Sequence, residues 1–375
     1  MDFELSDEQA MLRDATRDLL GDRSPITRVR ALLDGDEEID ADLWRLGTEL
    51  GWTGLALPEE HGGSGQGLVE LAIVAEEIGR SLARGPFLVS AVVGAAVARG
   101  GSSELQAEVL PALADGSLWA TWAFAEPSSP WTLDGIAATA VADGDGGFVL
   151  DGVKTAVQDA GAARWLLVTA LLDGAPVSLL VDRDTPGVTV RRQQVLDLTR
   201  TFHEVRFDGV RVPAGRRLDG DATDIQRLAD DAAVLGCAEA VGVMDRVVEM
   251  TVEYAAIRVQ FGRPIGSFQA VKHGAADMAV DALGARAAVY YAAMAADAGT
   301  ADAAAAACVA ASHISSTIGA VAGEALQLHG GIGFTWEHDL HLYLRRAKVD
   351  GVLHGTAPEH RERLVRLMGQ IPMPV

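Results

Sequence analysis

Apolar residues recur at helical spacing from the start of the chain: in "LSDEQAMLRDATRDLL", Leu12, Ala15, Leu19 and Leu20 share one face. Ser6 followed by Gln9 is a capping box, which fixes where that helix begins. A Pro/Gly-rich break, "LPEEHGGSGQG" (57–67), interrupts the pattern before a helix resumes at Leu68. Near residue 119 the pattern changes to short apolar or alternating runs: "LWATWAFAEP", "GFVLDGVKTAV", "RWLLVTALL", "PVSLLVDRD", "GVTVRRQQV" and "TFHEVRFDGVRVP". Gly, Asp and Pro separate them, which predicts an antiparallel β-domain. Helical periodicity returns near 221 in long segments, roughly 222–257, 266–299 and 301–329, then 337–349 and 357–369, and predicts a bundle. The fold class is therefore α+β: an N-terminal helical domain (1–118), a middle antiparallel β-domain (119–215) and a C-terminal four-helix bundle (216–375).

Composition narrows the function. The chain has 375 residues and a net charge of −22, which argues against general nucleic-acid binding and anionic membrane surfaces. Arg258, Arg263, Arg345 and Arg346 still offer positive charge for a local anionic ligand. No run reaches the roughly 18 uninterrupted apolar residues of a membrane span, and the acidic "MDFELSDEQA" is not a secretory signal. Cys237 and Cys308 lie in apolar helical sequence and are expected to be buried free thiols in a reducing cytoplasm. His329, His338 and His341 are close in sequence, but no Cys or carboxylate spacing makes them a metal site. "GGIGFTWEH" lacks the third glycine and preceding strand of a dinucleotide fingerprint, and neither a P-loop nor a nucleophile elbow occurs.

Several stretches carry a family signature by their order: "GWTGLALPEEHGGSG", "FAEP" (124–127), "VLDGVKTAVQDAGAARWLLV", "EVRFDGVRVP", "RVQFGRPIGSFQAVKHGAADM" (258–278) and "QLHGGIGFTWEHDLHLYLRRAK" (327–348). Together they resemble the acyl-CoA dehydrogenase family of flavoproteins across nearly the whole chain. A FAD pyrophosphate calls for donors, positive charge, and glycine where backbone approaches closely. Arg258 and Gln269 offer donors and Phe261 an apolar face. The resemblance implies that Arg258, Phe261 and Gln269 meet the ADP half of FAD across a subunit interface. It also implies that Gln327, Gly330 and Gly331 contact the same moiety from the other side, and Thr356 joins the cofactor-binding candidates. A shared cofactor implies at least a dimer, with an acyl-CoA as substrate and an electron-transfer flavoprotein as electron acceptor.

The reaction implied is α,β-desaturation of an acyl-CoA thioester to the trans-2-enoyl-CoA. A base takes the α-proton, flavin accepts the β-hydride, and the thioester oxygen is stabilised as charge develops. The family's base is a glutamate just before a Gly-Thr pair, and "LHGT" puts His354 there. The other position that carries a glutamate in some members falls at or next to Ala232 and is also empty. With an ordinary pKa of about 6.5, His354 is neutral at pH 7 and able to accept a proton, so it is the catalytic candidate. Glu359 completes a capping box with Thr356 and is expected to cap, while Asp231 is expected to face solvent.

Further departures follow the same pattern. Ala233 replaces an arginine, Ala125 a flavin-bonding threonine, and Ala156-Val157-Gln158 an aromatic-x-Thr motif. Trp131 stands in "SSPWT" where a small polar residue is expected. The chain keeps the ADP contacts but not the base and ring contacts. It thereby resembles the base-less subunit of heteromeric actinobacterial dehydrogenases acting on steroid side-chain CoA thioesters, which implies a heterotetramer with half the usual FADs. Two alternatives stay open: a homo-oligomer with a non-standard base, and a non-catalytic acyl-CoA- or flavin-binding protein. The small residues suit either a wide acyl group or a disused pocket filled by Trp131.

Overall fold

The computed structural model describes residues 4–33, 35 and 37–369. Ser6 begins the first helix as its pattern predicts: its hydroxyl accepts from the Gln9 amide, and the Gln9 side chain accepts from the Ser6 amide at 3.0 Å. Six helices precede the sheet: α1 (Asp7–Arg23), α2 (Ile26–Leu33), α3 (Ala41–Glu49), α4 (Leu68–Ser81), α5 (Phe87–Gly100) and α6 (Ser103–Ala114). In the Pro/Gly-rich break before α4, Gly62 and Gly65 adopt positive φ, which glycine takes without a Cβ penalty.

The sheet comprises β1 (Ala120–Ala123), β2 (Thr139–Ala142), β3 (Phe148–Gln158), β4 (Trp165–Leu172), β5 (Ala175–Asp182), β6 (Val188–Arg192) and β7 (Phe202–Val212). Its order is β1-β4-β2-β3-β7-β6, with β5 also paired to β4. The expected antiparallel β-domain is present as a mixed sheet: β2–β3, β3–β7, β4–β5 and β6–β7 pair antiparallel, while β1 and β2 run parallel to β4. Hairpins make neighbours antiparallel, but β1 and β4 are separated by a long loop and the β2–β3 hairpin, so their pairing is a crossover. The sequence pattern misses β2, which is four residues long with only Ala140 buried. A register shift in the β3–β7 pairing between Lys154 and Val157 is a bulge, and there Ala156 takes φ +50°.

Among the described residues five helices follow the sheet: α7 (Ala222–Ile257), α8 (Gln269–Ala298), α9 (Ala303–His329), α10 (Leu340–Asp350) and α11 (Ala357–Met368). A small hairpin, β8 (Val259–Gln260) with β9 (Arg263–Pro264), joins α7 to α8. The segment Ala303–Phe334 is long and apolar enough to cross a membrane by composition, but more than half of its most apolar 18-residue window is buried, and α9 packs against α7, α8, α10 and α11. Cys237 and Cys308 are free and buried.

Helix α7 spans both helical regions, packing on α4 as well as on α8 and α9. Two glycines set the α4–α7 distance. A Cβ on Gly79 would lie 1.9 Å from the carbonyl oxygen of Glu239, and one on Gly242 would lie 1.8 Å from that of Glu76. Around this contact the buried Glu76 accepts from Arg286 (2.8 Å) and the Tyr290 hydroxyl (3.2 Å), and Glu77 accepts from Arg17 (2.6 Å). Substituting Gly242→Ala is therefore expected to destabilise the fold by about 2 kcal/mol or more, read as a lower urea midpoint. Gly21→Ala on exposed α1, where a Cβ meets nothing within 4 Å, is expected to leave the midpoint unchanged or raise it.

Candidate active site and cofactor surface

The positions at which a base and ring contacts are expected converge on one small cavity. Ala156 and Gln158 of β3, Ala232 of α7 and His354 line it together with Trp122 and Trp131. Its volume is only ≈ 50 Å³, against the roughly 300–1,000 Å³ of small-molecule pockets. Ala156 and His354 both hold left-handed backbone conformations (φ +50° and +67°), which non-glycine residues adopt at a cost and often at sites of function.

His354 stands in the turn between α10 and α11. A Cβ on Gly236 of α7 would lie 2.9 Å from His354 Cδ2, so glycine there admits the ring. The Trp131 indole meets the imidazole edge-on at 5.1 Å between centroids, and His354 Nδ1 is buried without a hydrogen-bond partner. Burial, helped by the charges of Arg200 and His360, pushes His354 down to about 3. Proton abstraction works best with a base whose pKa lies near the working pH, and in this setting the imidazole is a weak one. Thr356 and Glu359 form the expected capping box, with the Thr356 amide 2.6 Å and its hydroxyl 2.7 Å from Glu359 Oε2. The Thr356 hydroxyl is thus engaged at the start of α11.

The one carboxylate lining the cavity, Glu239, was not a candidate from the sequence, although a single acid in the apolar run of α7 is a visible signal. It is locked between two guanidinium groups, Arg346 and Arg200 (2.5 Å). Arg346 also donates to Asp197 (2.6 Å) and Thr199, and Arg200 to Asp350 (2.6 Å). Burial would raise the Asp197 carboxyl, but Arg346 and Arg200 hold it below its ordinary value. Asp350, whose second oxygen has no partner, is pushed up to about 6 by burial despite Arg200. Arg346, expected from sequence to be available to an anionic ligand, is fully buried in this cluster. Asp231 does not face open solvent either: it pairs with Arg99 at 2.7 Å.

A second group of candidates lies on the surface. Arg258 caps the end of α7 through its backbone and is exposed. Phe261, at the tip of the β8–β9 hairpin, has φ +52° and is 93% exposed. Gln269 opens α8, whose first turn has no side-chain cap. The start of α8 packs by the end of α9: a Cβ on Gly274 would lie 3.4 Å from Leu328 Cδ1. Exposed Gln327 ends α9, and Gly330 and Gly331 follow with nothing within 4 Å of a built Cβ. Ile257, Val259, Phe334 and Trp336 are exposed hydrophobic residues beside these candidates in sequence. His329 stacks on Tyr254 (4.6 Å) and His341 on Trp336 (4.6 Å).

Helices flanking a mixed sheet, a cavity at their junction and a polar, glycine-bearing surface at the bundle's end define the class of flavin-dependent acyl-CoA dehydrogenases. The acyl-CoA dehydrogenase N-terminal, middle and C-terminal domain models match residues 6–117, 121–210 and 223–369, and the chain belongs to that family. It is 35% identical over 373 residues to the acyl-CoA dehydrogenase IpdE2 of Mycobacterium tuberculosis, covering 97% of this chain and 98% of that one. Among solved structures, the ChsE4–ChsE5 complex from Mycobacterium tuberculosis superposes with a TM-score of 0.92 at 29% identity, covering 100% of both chains. The Tcur3481–Tcur3483 steroid ACAD variant matches with a TM-score of 0.89 at 32% identity, covering 97% of this chain and 98% of that one.

Members of the family bind FAD. The surface residues fit its ADP half: Arg258 is exposed, α8 opens without a side-chain cap, and Gly330 and Gly331 leave room for close approach. The cavity does not fit the tricyclic ring, since Trp131 and His354 occupy the space between its walls.

The depressed pKa of His354 has a measurable sign. A histidine held neutral by burial is protonated first in the unfolded chain, so its contribution is full above about 6.5 and is lost as pH falls toward 3. Asparagine tolerates the left-handed backbone. His354→Asn is thus expected to lessen the loss of stability between pH 7 and pH 5 by on the order of 2 kcal/mol, measured as urea midpoints at the two pH values.

Proposed function

We propose that this chain is the base-less subunit of a heteromeric acyl-CoA dehydrogenase, acting with a homologous chain that supplies the carboxylate. The observation that carries the reading is the contrast between its two sets of positions. The outer set, Arg258, Phe261, Gln269, Gln327, Gly330 and Gly331, is exposed and able to complete the cofactor site of a neighbour. The inner set meets in a cavity of ≈ 50 Å³ whose one acid is neutralised by two arginines. The homo-oligomeric alternative needs His354 as base, and an imidazole whose pKa lies near 3 holds an abstracted proton poorly. The ChsE4–ChsE5 and Tcur3481–Tcur3483 structures support a two-chain assembly, and the latter, a steroid ACAD, supports a steroid-type acyl group.

In this assembly FAD, when bound, supplies the hydride acceptor, and an electron-transfer flavoprotein reoxidises it. This chain's residues hold the ADP half and order the interface. An outer cleft of ≈ 520 Å³ between α7, the α8–α9 turn and α11, with Arg227 and Arg363 on its walls, is the place we assign to a CoA arm. There Arg363 already pairs with Asp230.

Expressed alone, the chain is expected to carry no stoichiometric flavin and to show no bleaching with acyl-CoA. Co-expressed with a homologous chain bearing the glutamate, it is expected to retain one flavin per pair and to bleach. Bleaching by the chain alone would overturn the reading. Within the complex, Arg258→Ala removes a charge-assisted hydrogen bond of about 1.5–3 kcal/mol, so flavin affinity is expected to fall ten- to a hundredfold, measured by flavin release on dilution.

A further inference from the structure

The wall segment that carries Trp131 is tightly built. It leaves β1 through Phe124 and Ala125 and returns to β2 at Ala138, and one buried acid pins both ends. Glu126 accepts from the Ala137 and Ala138 amides (2.9 Å each) and from Lys154 Nζ (2.7 Å). Lys154 is fully buried and also donates to the Phe124 carbonyl (3.0 Å); burial draws it down to about 8 despite Glu126. Inside the loop, the Ser129 hydroxyl donates to the Gly135 carbonyl at 2.6 Å. Pro130 then restricts the backbone leading into Trp131.

From this frame the indole of Trp131 reaches across the cavity. It packs on Phe124 at 5.7 Å on one side and on the edge of His354 at 5.1 Å on the other. Phe124 in turn packs on Trp122 at 4.6 Å, so an aromatic row runs from β1 to the α10–α11 turn. Trp131 Nε1 and His354 Nδ1 are both buried without partners. The contact therefore contributes shape and not hydrogen bonding, and breaking it strands no new polar group.

We infer that Trp131, backed by His354, is a plug that closes this chain's own ring site to a planar cofactor. The small residues that line the cavity with it, Ala156 and Ala232, do not make an open pocket: only ≈ 50 Å³ stays free beside the indole. The inference rests on the heteromeric reading and gives it a cause: this chain lends contacts to a neighbour's cofactor because a side chain occupies its own site. Replacing a residue of this size with glycine opens a void comparable to the ~150 Å³ cavities that take up benzene-sized guests, in addition to the ≈ 50 Å³ already free. The combined space has an open side through which a larger flat ring system can extend.

The test uses the complex of this chain with its glutamate-bearing homologue and lumiflavin, a ring system without the ADP half, followed by quenching of its fluorescence. The wild-type complex and Trp131→Phe, which keeps an aromatic plug, are expected to bind no lumiflavin beyond the cofactor already present. Trp131→Gly is expected to bind one more per copy of this chain, at least tenfold more tightly than wild type. Should Trp131→Gly fail to assemble, Trp131→Leu is read in its place, with the same gain expected and no gain counting against the plug. Equal lumiflavin binding by wild type and Trp131→Gly, or no gain in a correctly assembled variant, overturns the inference. The FAD content of the wild-type complex separates the two readings. Two FADs per pair sink the heteromeric reading, whereas one FAD per pair with no gain in the variant sinks only the plug.

Discussion

The close approach of α4 and α7 is the constraint on which the rest of the architecture depends. Each helix presents a glycine to a carbonyl of the other, Gly79 to Glu239 and Gly242 to Glu76, at distances no Cβ could occupy. This fixes the N-terminal helices against the bundle and sets the rotation of α7 about its axis. With α7 so turned, Ala232, Gly236 and Glu239 face one cavity, while its opposite side packs on α8 and α9. The crossing that stabilises the fold also decides which residues can meet at the site.

Charge inside the molecule is arranged around that same helix. Arg346, Arg200, Asp197, Glu239 and Asp350 form a buried group in which each arginine serves two carboxylates. Such clusters are strongly damaged by removing one member and give modest net stability as a whole. Their value here is positional: they tie the loop before β7 to α7 and α10, behind the cavity wall. The same pairing engages both oxygens of Glu239 with guanidinium groups. The interior is thus ordered by ion pairs at its back, where only Asp350 keeps an unpartnered oxygen among the cluster's carboxylates, and crowded by aromatic rings at its front.

Much of the fold was legible in the sequence, and the reason is periodicity. The long helices of the bundle repeat every 3.6 residues over many turns, and both capping boxes announced their helices. The four-residue β2, with one inward residue, had no period to detect, and the parallel pairing of β1 and β2 with β4 depends on long-range topology. At the site, the meeting of Ala156, Ala232 and His354 followed from motif order, but what fills the space between them did not. Residue type showed that Trp131 was unusual; only packing showed that it reaches His354. Arg346 was misplaced because a basic residue in a helix reads as surface, whereas its acidic partners, Asp197 and Glu239, are more than 100 positions away in the chain.

The edge-on contact between Trp131 and His354 also bears on how such a chain changes over generations. Placing a glutamate at 354 would set a carboxylate against an indole in a small, mostly apolar cavity, where desolvation is penalised. Replacing the indole first would open a void with no base beside it to make use of the room. Each single change is disfavoured while the other residue stands, so the two positions act as a ratchet.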